Sequence, residues 1–552
     1  MRSRPLASIW TTCPAVCLLG GLALVTAGCG DSLGSPSLAD VATAGPLANN
    51  APHADEGEHT PGNPADTVAV LSLVEPGSPF AAVAQRLADR HAAPIVRATP
   101  QNVDEARDEL AGLAPTHVAI VVAPDDLDEN LAAAVFSLMT RLDDDPFADA
   151  GWGYLTGRDA DAALALVESS DPARPAPRSP SLGQYGVADG AFLKTPQDNR
   201  VVWPLPGGTM RVHSLMAVDT GDAVADAAFL EAGLTALERD DLLLFASHGQ
   251  PDGLVGGPKA RDLAGRRFEG AVVFNLACFN GVCSRWYDTD WAAGTTKART
   301  VSREDSFVLA LLETGVAGVF THLSARPAGP TMMGQALRLA SEGRSLGQMQ
   351  QDDANRVILA HLLRGHDRLD FAPLVDGAAV TPPSDGAEAV HRSSTGGVVF
   401  GDPTVRPFAP TGGHVQTTTT QLEGEQLIAK TTLVTPLMHA IASDPLNYHN
   451  GNKPAWHVLV EVPLGDREAT AVRVRESSLG LDNVRLVAAT DETGGSRILR
   501  VKVQSPQPQP HEAAKFSPGL SLTLEVDTVA HQPEPREPVV LRSTEDDPAV
   551  AR

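Results

Sequence analysis

Residues 242–249 read LLLFASHG, and residues 271–281 read AVVFNLACFNG. Each is a short run rich in Val, Leu and Phe, and each ends in small residues. Strands buried on both faces of a parallel sheet read this way, because helices cover both sides and no polar alternation is needed. His248 follows the first run and Cys278 the second. In open α/β sheets the chemistry collects outside the carboxyl ends of the strands. The pair therefore predicts an imidazole and a thiol at one sheet edge.

Outward from these runs the chain alternates strands and helices. TVAVLSLV (67–74), PIVRAT (94–99) and THVAIVVAP (116–124) read as strands. Between and after them, Phe80, Val83 and Leu87, then Val103, Ala106, Leu110 and Leu113, then Leu127, Leu131, Val135, Leu138 and Leu142 mark three helical faces. Ser78-Pro79 predicts the first helix start, with Ser as N-cap and Pro at the first helical position. The βαβαβ pattern over 66–172 predicts a small parallel-sheet subdomain. No GxGxxG or P-loop sits at a strand-to-helix turn, so a nucleotide site is not supported.

A Pro-rich connector, ARPAPRSPS (173–181), leads to a second α/β unit over 185–410. Its strands are expected at 209–218, 242–247, 271–277 and 316–322. Its helices are expected at about 222–237, 303–313, 331–341 and 345–363. The last opens with Ser345-Leu346-Gly347-Gln348, a capping-box spacing. GVVFGDP (397–403) closes the unit as a short strand. From 413 to 529 apolar and polar residues alternate, as in WHVLVEVPL (456–464) and RILRVKVQS (497–505), and ETGGSR (492–497) suits a hairpin turn. This predicts a β-sandwich of immunoglobulin-like type.

The N-terminal residues read as a targeting signal. Arg2 and Arg4 precede an apolar stretch, Ala15–Val25, followed by Thr26-Ala27-Gly28-Cys29. The stretch is too short to span a bilayer and ends in small residues, so residues 1–29 read as a lipoprotein signal peptide with Cys29 as the lipidated residue, the alternative being ordinary secretion with a coincidental cysteine. Gly30 gives no inner-membrane retention signal, and the expected location is the outer membrane or cell surface. Residues 30–65 read as a disordered tether and 530–552 as a disordered tail. A formal net charge of −25 over 552 residues argues against nucleic acid as a partner. The membrane is reached through the N-terminal lipid only.

Of five cysteines, Cys13 and Cys17 lie in the signal peptide and Cys29 carries lipid, which leaves Cys278 and Cys283 for the folded part. Two thiols are too few for a disulfide framework. A reversible Cys278–Cys283 disulfide and a packed, inert Cys283 are the two readings of the second thiol. A zinc site from His248, Cys278, Cys283 and His322 fits no common ligand spacing, and neither do His439, His449 and His457. No metal and no cofactor are expected.

A thiol peptidase needs a cysteine that ionises, a histidine that handles the proton, and donors for the oxyanion. Cys278 suits the nucleophile and His248 the general acid/base. The backbone N–H groups of Gly249 and Cys278 suit the oxyanion hole. Asp252, Trp286 and Asp288 are candidate substrate-binding residues, with the acidic pair suited to a basic side chain before the cut. Solvated acidic loops and a loop pinned by its aromatics are the bland alternatives.

A strand ending in His-Gly and another ending in Ala-Cys resemble the clan CD cysteine peptidases, and within them the gingipain-type family. Four further stretches are similar to that family. They are Asp143 to Asp149 (DDDPFAD) with Gly157-Arg158, SFVLALLETGVAGVFTHLSARP (306–327), Gly343-Arg344-Ser345-Leu346-Gly347, and Phe400-Gly401-Asp402-Pro403. The resemblance covers about 65–410, with the sandwich matched by layout alone. It implies a caspase-like fold and a cysteine endopeptidase acting on polypeptides. The separation of 30 residues between His248 and Cys278 is short for that family, which implies short loops around the pocket. The alternative is an inactive relative that keeps the fold and serves as a binding or scaffold module.

Overall fold

The first strands of the α/β body are β1 (Val68–Ser72), β2 (Ile95–Arg97), β3 (His117–Val121) and β4 (Gly151–Leu155). They are followed by β5 (Ser181–Val187), β6 (Asn199–Leu205), β7 (Gly208–Ala217) and β8 (Leu242–Ala246). Then come the short β9 (Gly249–Gln250) and β10 (Gly253–Leu254), β11 (Val272–Asn275), β12 (Arg285–Asp290), β13 (Thr295–Thr300), β14 (Gly318–His322) and β15 (Gly397–Phe400). The computed structural model describes residues 66–170, 180–187, 199–205, 208–217, 222–290, 294–324, 331–363, 373–379, 397–410, 416–433, 456–478, 485–492, 497–505, 521–531 and 540–542. Cys29, the expected signal peptide, the expected tether and most of the expected tail lie outside the described residues, as do Trp291, His439 and His449. Among the described residues no helix is long and apolar enough to cross a membrane.

Eleven of these strands form one sheet in the order β2-β1-β3-β4-β15-β14-β11-β8-β5-β7-β6. The two expected α/β units therefore meet edge to edge. The junction is β15, which runs parallel to β4 through Phe400 and Tyr154 and antiparallel to β14. Most neighbours are parallel, with β6 antiparallel at one margin. β3, β11 and β14 are buried throughout, as their continuous apolar runs require.

β4 reads GWGYL and was not expected as a strand. Glycine usually weakens strands, but here it admits close neighbours. A Cβ at Gly151 would stand 2.4 Å from the Gly347 carbonyl carbon, and one at Gly153 would stand 2.5 Å from the Gly401 carbonyl oxygen.

The helices are α1 (Ala81–His91), α2 (Arg107–Leu113), α3 (Glu129–Met139), α4 (Ala160–Ser169), α5 (Ala223–Leu237), α6 (Phe307–Leu312), α7 (Thr331–Glu342) and α8 (Leu346–Leu362). α1 starts later than Ser78-Pro79 predicts. Ser78 and Pro79 accept from Ala81 and Ala82 in tight turns, and Phe80 is the residue preceding the helix. The capping box of α8 forms as expected. Ser345 Oγ accepts the Gln348 N–H at 3.1 Å, and Gln348 Oε1 accepts the Ser345 N–H at 2.9 Å. His117 Nε2 meets the same Ser345 hydroxyl at 2.9 Å, which ties this helix start to β3.

After residue 415 two four-stranded antiparallel sheets follow. One joins β16 (Gln416–Glu423), β17 (Gln426–Leu433), β22 (Ser521–Ala530) and β19 (Arg467–Ser477). The other joins β18 (Trp456–Pro463), β21 (Ile498–Ser505), β20 (Arg485–Asp491) and β23 (Val540–Arg542). Ala429, Leu522, Leu524 and Val526 from the first share a core with Val460, Val462, Leu499 and Val501 from the second. Val487 and Ala489 of β20 belong instead to the core of the α/β body, and β20 and β21 lie against α8.

Candidate active site

β8 and β11 are parallel neighbours in register from Leu242 opposite Val272 to Phe245 opposite Asn275. His248 and Cys278 keep that offset and stand three residues beyond the last pair, at the carboxyl ends of both strands. Neighbouring strands lie about 4.8 Å apart. His248 is exposed and Cys278 is partly buried.

The two chain segments touch just past this point. A Cβ at Gly249 would stand 2.3 Å from the Cys278 carbonyl oxygen and 3.0 Å from the Cys278 nitrogen. Glycine is thus required at 249 by the approach of two backbones. The His248 carbonyl accepts the Val255 N–H at 2.8 Å, and β9 turns back into β10, with Leu254 opposite Gly249.

After Cys278 the chain turns sharply. Phe279 takes φ +61°, a left-handed conformation uncommon for a bulky residue. The turn is tied to the end of β14, where the Phe279 N–H donates to Ser324 O at 3.2 Å and the Gly281 N–H donates to His322 O at 2.8 Å. Two buried asparagines that sequence reading passed over complete the frame. Asn275 Oδ1 accepts the Ala277 N–H at 3.0 Å, and Asn275 Nδ2 donates to Asn280 Oδ1 at 3.0 Å. Asn280 Nδ2 donates to the carbonyls of Gln250 and Gly253, at 2.5 and 3.1 Å. The available signal was a carboxamide closing an otherwise apolar strand in VVFN, and a second one five residues later.

Trp286, Tyr287 and Asp288 lie on β12, in a hairpin with β13, where the sequence suggested a polar loop. The Phe279 and Trp286 rings pack with centroids 4.7 Å apart, and the Arg299 guanidinium lies 5.9 Å from the Trp286 ring. Asp288 pairs with Arg299 at 2.6 Å, and Asp252 pairs with Lys259 at 3.0 Å. Both acidic candidates therefore already face a cation of this chain. The hairpin is anchored on the N-terminal strands and helices. Arg285 pairs with Asp128 at 2.5 Å, and Asp128 also caps α3 by accepting from Asn130 and Leu131. The Asn130 amide donates to the Tyr287 hydroxyl at 3.2 Å.

The two thiols differ sharply. Cys283 is fully buried, its Sγ lies 3.7 Å from Gly281 O, and burial pushes its ionisation far up. Cys278 and Cys283 form no disulfide. Among the described residues the one group of three potential metal ligands is Asp143, Asp145 and Asp149, with oxygens within 4.8 Å of one another. It lies at the sandwich junction, where Asp145 Oδ2 accepts the Glu492 N–H at 2.7 Å. A scan against protein-family models finds no match, and a search of curated proteins finds none either.

Proposed function

We infer that the chain is a cysteine endopeptidase of the gingipain type, with a caspase-like body and an immunoglobulin-like sandwich. The observation that carries this reading is the shared register of His248 and Cys278 beyond the ends of β8 and β11. His248 takes the Cys278 proton, and the thiolate attacks the scissile carbonyl. The N–H groups of Gly249 and Cys278 receive the oxyanion. The C–N bond breaks as His248 returns the proton to the leaving amine. Water activated by His248 then hydrolyses the thioester and frees the Cys278 thiol. Phe279 and Trp286 wall one side of the substrate groove, with Asp252 and Asp288 at its rim. The polypeptide is held at the membrane through lipid on Cys29, a reading that rests on the sequence alone.

The test is digestion of a mixed peptide library with the full chain, its Cys278→Ala variant and its Cys283→Ala variant, read by mass spectrometry of new termini. Cleavage by the native chain and by Cys283→Ala, absent with Cys278→Ala, supports the reading. Cleavage that survives Cys278→Ala, or none by the native chain, overturns it.

A further inference from the structure

We propose that Asn280 is the positioning residue that sets the gap between His248 and Cys278, acting with Asn275. This deepens the peptidase reading and rests on it for its catalytic meaning, although the spacing itself can be measured without any activity.

The geometry points to Asn280 because it is the shared member of the contacts that frame the two reactive ends. His248 leaves β8 and is held through its carbonyl by Val255, so its position follows that of the β9–β10 hairpin. Cys278 leaves β11 into the left-handed turn at Phe279, and that turn is tied to β14 by the Phe279 and Gly281 N–H groups. Asn280 sits in the same turn and is fully buried. Its amide nitrogen donates to the carbonyls of Gln250 and Gly253, one on each strand of the hairpin that follows His248. Its amide oxygen is fixed by Asn275, which closes β11 and also accepts the Ala277 N–H, one residue before the thiol. The chain of bonds therefore runs from the strand that carries Cys278, through two carboxamides, to the hairpin that carries the backbone of His248.

An amide suits this task. It donates twice and accepts, so it satisfies two buried carbonyls and one buried donor at once. It carries no charge, so it sets the distance without biasing the ionisation of a thiol and imidazole nearby. A carboxylate at 280 would lose both donors and place a negative charge against two carbonyl dipoles. Besides Asn280, the hairpin is held near the turn by the close approach at Gly249 and through Ser306 and Phe307, which bond Val282 O and Pro251 O. Among the described residues, Asn280 alone bonds both strands of the hairpin from within the turn itself.

The test measures the gap directly. In the full chain carrying His248→Cys, positions 248 and 278 follow neighbouring strands in the same register, and strands about 4.8 Å apart are within the Cα reach of a disulfide. Diamide oxidises the two thiols, taking two electrons and two protons, and peptide mapping gives the rate of the 248–278 cross-link. Adding Asn280→Ala is expected to slow that rate at least tenfold, with Asn275→Ala intermediate because Asn280 keeps its donors. Asn280→Ser serves if the alanine variant does not fold, since a hydroxyl retains one donor. On the native background, Asn280→Ala is expected to bring Cys278 alkylation at neutral pH to the rate of His248→Ala, with no further loss when the two are combined. A merely structural role would lower the unfolding midpoint and leave both rates unchanged in the folded protein. Cross-linking that is unchanged by Asn280→Ala overturns the proposal. Slower cross-linking together with His248-independent alkylation upholds the positioning role and sinks the peptidase reading.

Discussion

The two ends of the α/β body are held by different forces. Around His248 and Cys278 the immediate frame is neutral: backbone bonds to Val255, His322 and Ser324, and the carboxamides of Asn275 and Asn280. At the junction with the sandwich the frame is charged. Arg500 pairs with Asp491 and Glu461, both at 2.5 Å, and lies 5.6 Å from the Phe147 ring of the α/β body. Burial disfavours the charged form of Glu461, but Arg500, Arg344 and Arg338 outweigh it and hold the carboxyl at about 2. Neutral donors fix geometry and leave nearby ionisations to each other, whereas charges bind strongly and make the joint answer to pH. The proposed peptidase site calls for the first kind of support, and a permanent docking joint tolerates the second.

Four substitutions bear on that contrast, taken from the largest expected effect. On the proposed reading, His248→Ala should cut peptide turnover about 10³-fold while lowering the unfolding midpoint only slightly, since the residue is exposed. Steady-state kinetics beside a urea melt checks both halves. Arg500→Met should do the reverse. It strands Asp491, which is 2% exposed on its side chain, and costs about 3–5 kcal/mol in urea unfolding with alkylation of Cys278 unaltered. Gly249→Ala should disturb both properties, because the added methyl meets the Cys278 carbonyl at 2.3 Å. A loss of about 1–3 kcal/mol together with slower turnover is expected, and a fully active variant of native stability would contradict the close approach.

The smallest effect concerns pH. Burial, with Asp491 and Asp143 adding repulsion, pushes the Asp145 carboxyl up to about 7, and burial with Asp143 raises Asp149 as well. A raised carboxyl binds its proton more tightly in the folded state, so stability falls as pH rises from about 4, the unfolded value, through the folded one. Glu461 has the opposite sign, and its contribution is lost as pH falls from about 4 toward 2. The junction is therefore strongest near pH 4–5, between these windows. Asp149→Asn should raise stability at pH 8 by on the order of 1 kcal/mol and flatten the decline between pH 5 and 8, as denaturant melts at the two values would reveal.

What the sequence made legible follows the same division. Buried parallel strands announce themselves as apolar runs, so β1, β3, β8, β11 and β14 stood out, and the His and Cys at two of their ends stood out with them. Ser345 and Gln348 disclosed α8 because a capping box is local chemistry. β4 was hidden because Gly151 and Gly153 look like loop residues until Gly347 and Gly401 are seen pressing on them. The β12–β13 hairpin was hidden because RWYDTD and TTKART carry charges that are satisfied by partners far away in sequence, such as Asp128 for Arg285. Asn275 and Asn280 lay inside the quoted run, but a carboxamide declares its role only once the carbonyls it meets are known. The ion pairs of Asp252 and Asp288 were invisible for the same reason, and they leave the rim less acidic than its composition suggests.

The central claim is that His248 and Cys278 act on one another. The rate of Cys278 alkylation by limiting iodoacetamide, followed from pH 5 to 10 in the native chain and in His248→Ala, tests it most directly. The account predicts fast labelling of Cys278 in the native chain well below the ordinary thiol range of about 8.5, a shift of the profile to that range in the variant, and no labelling of buried Cys283 in either. Superimposable profiles for the two proteins, each with an ordinary thiol midpoint, would contradict it.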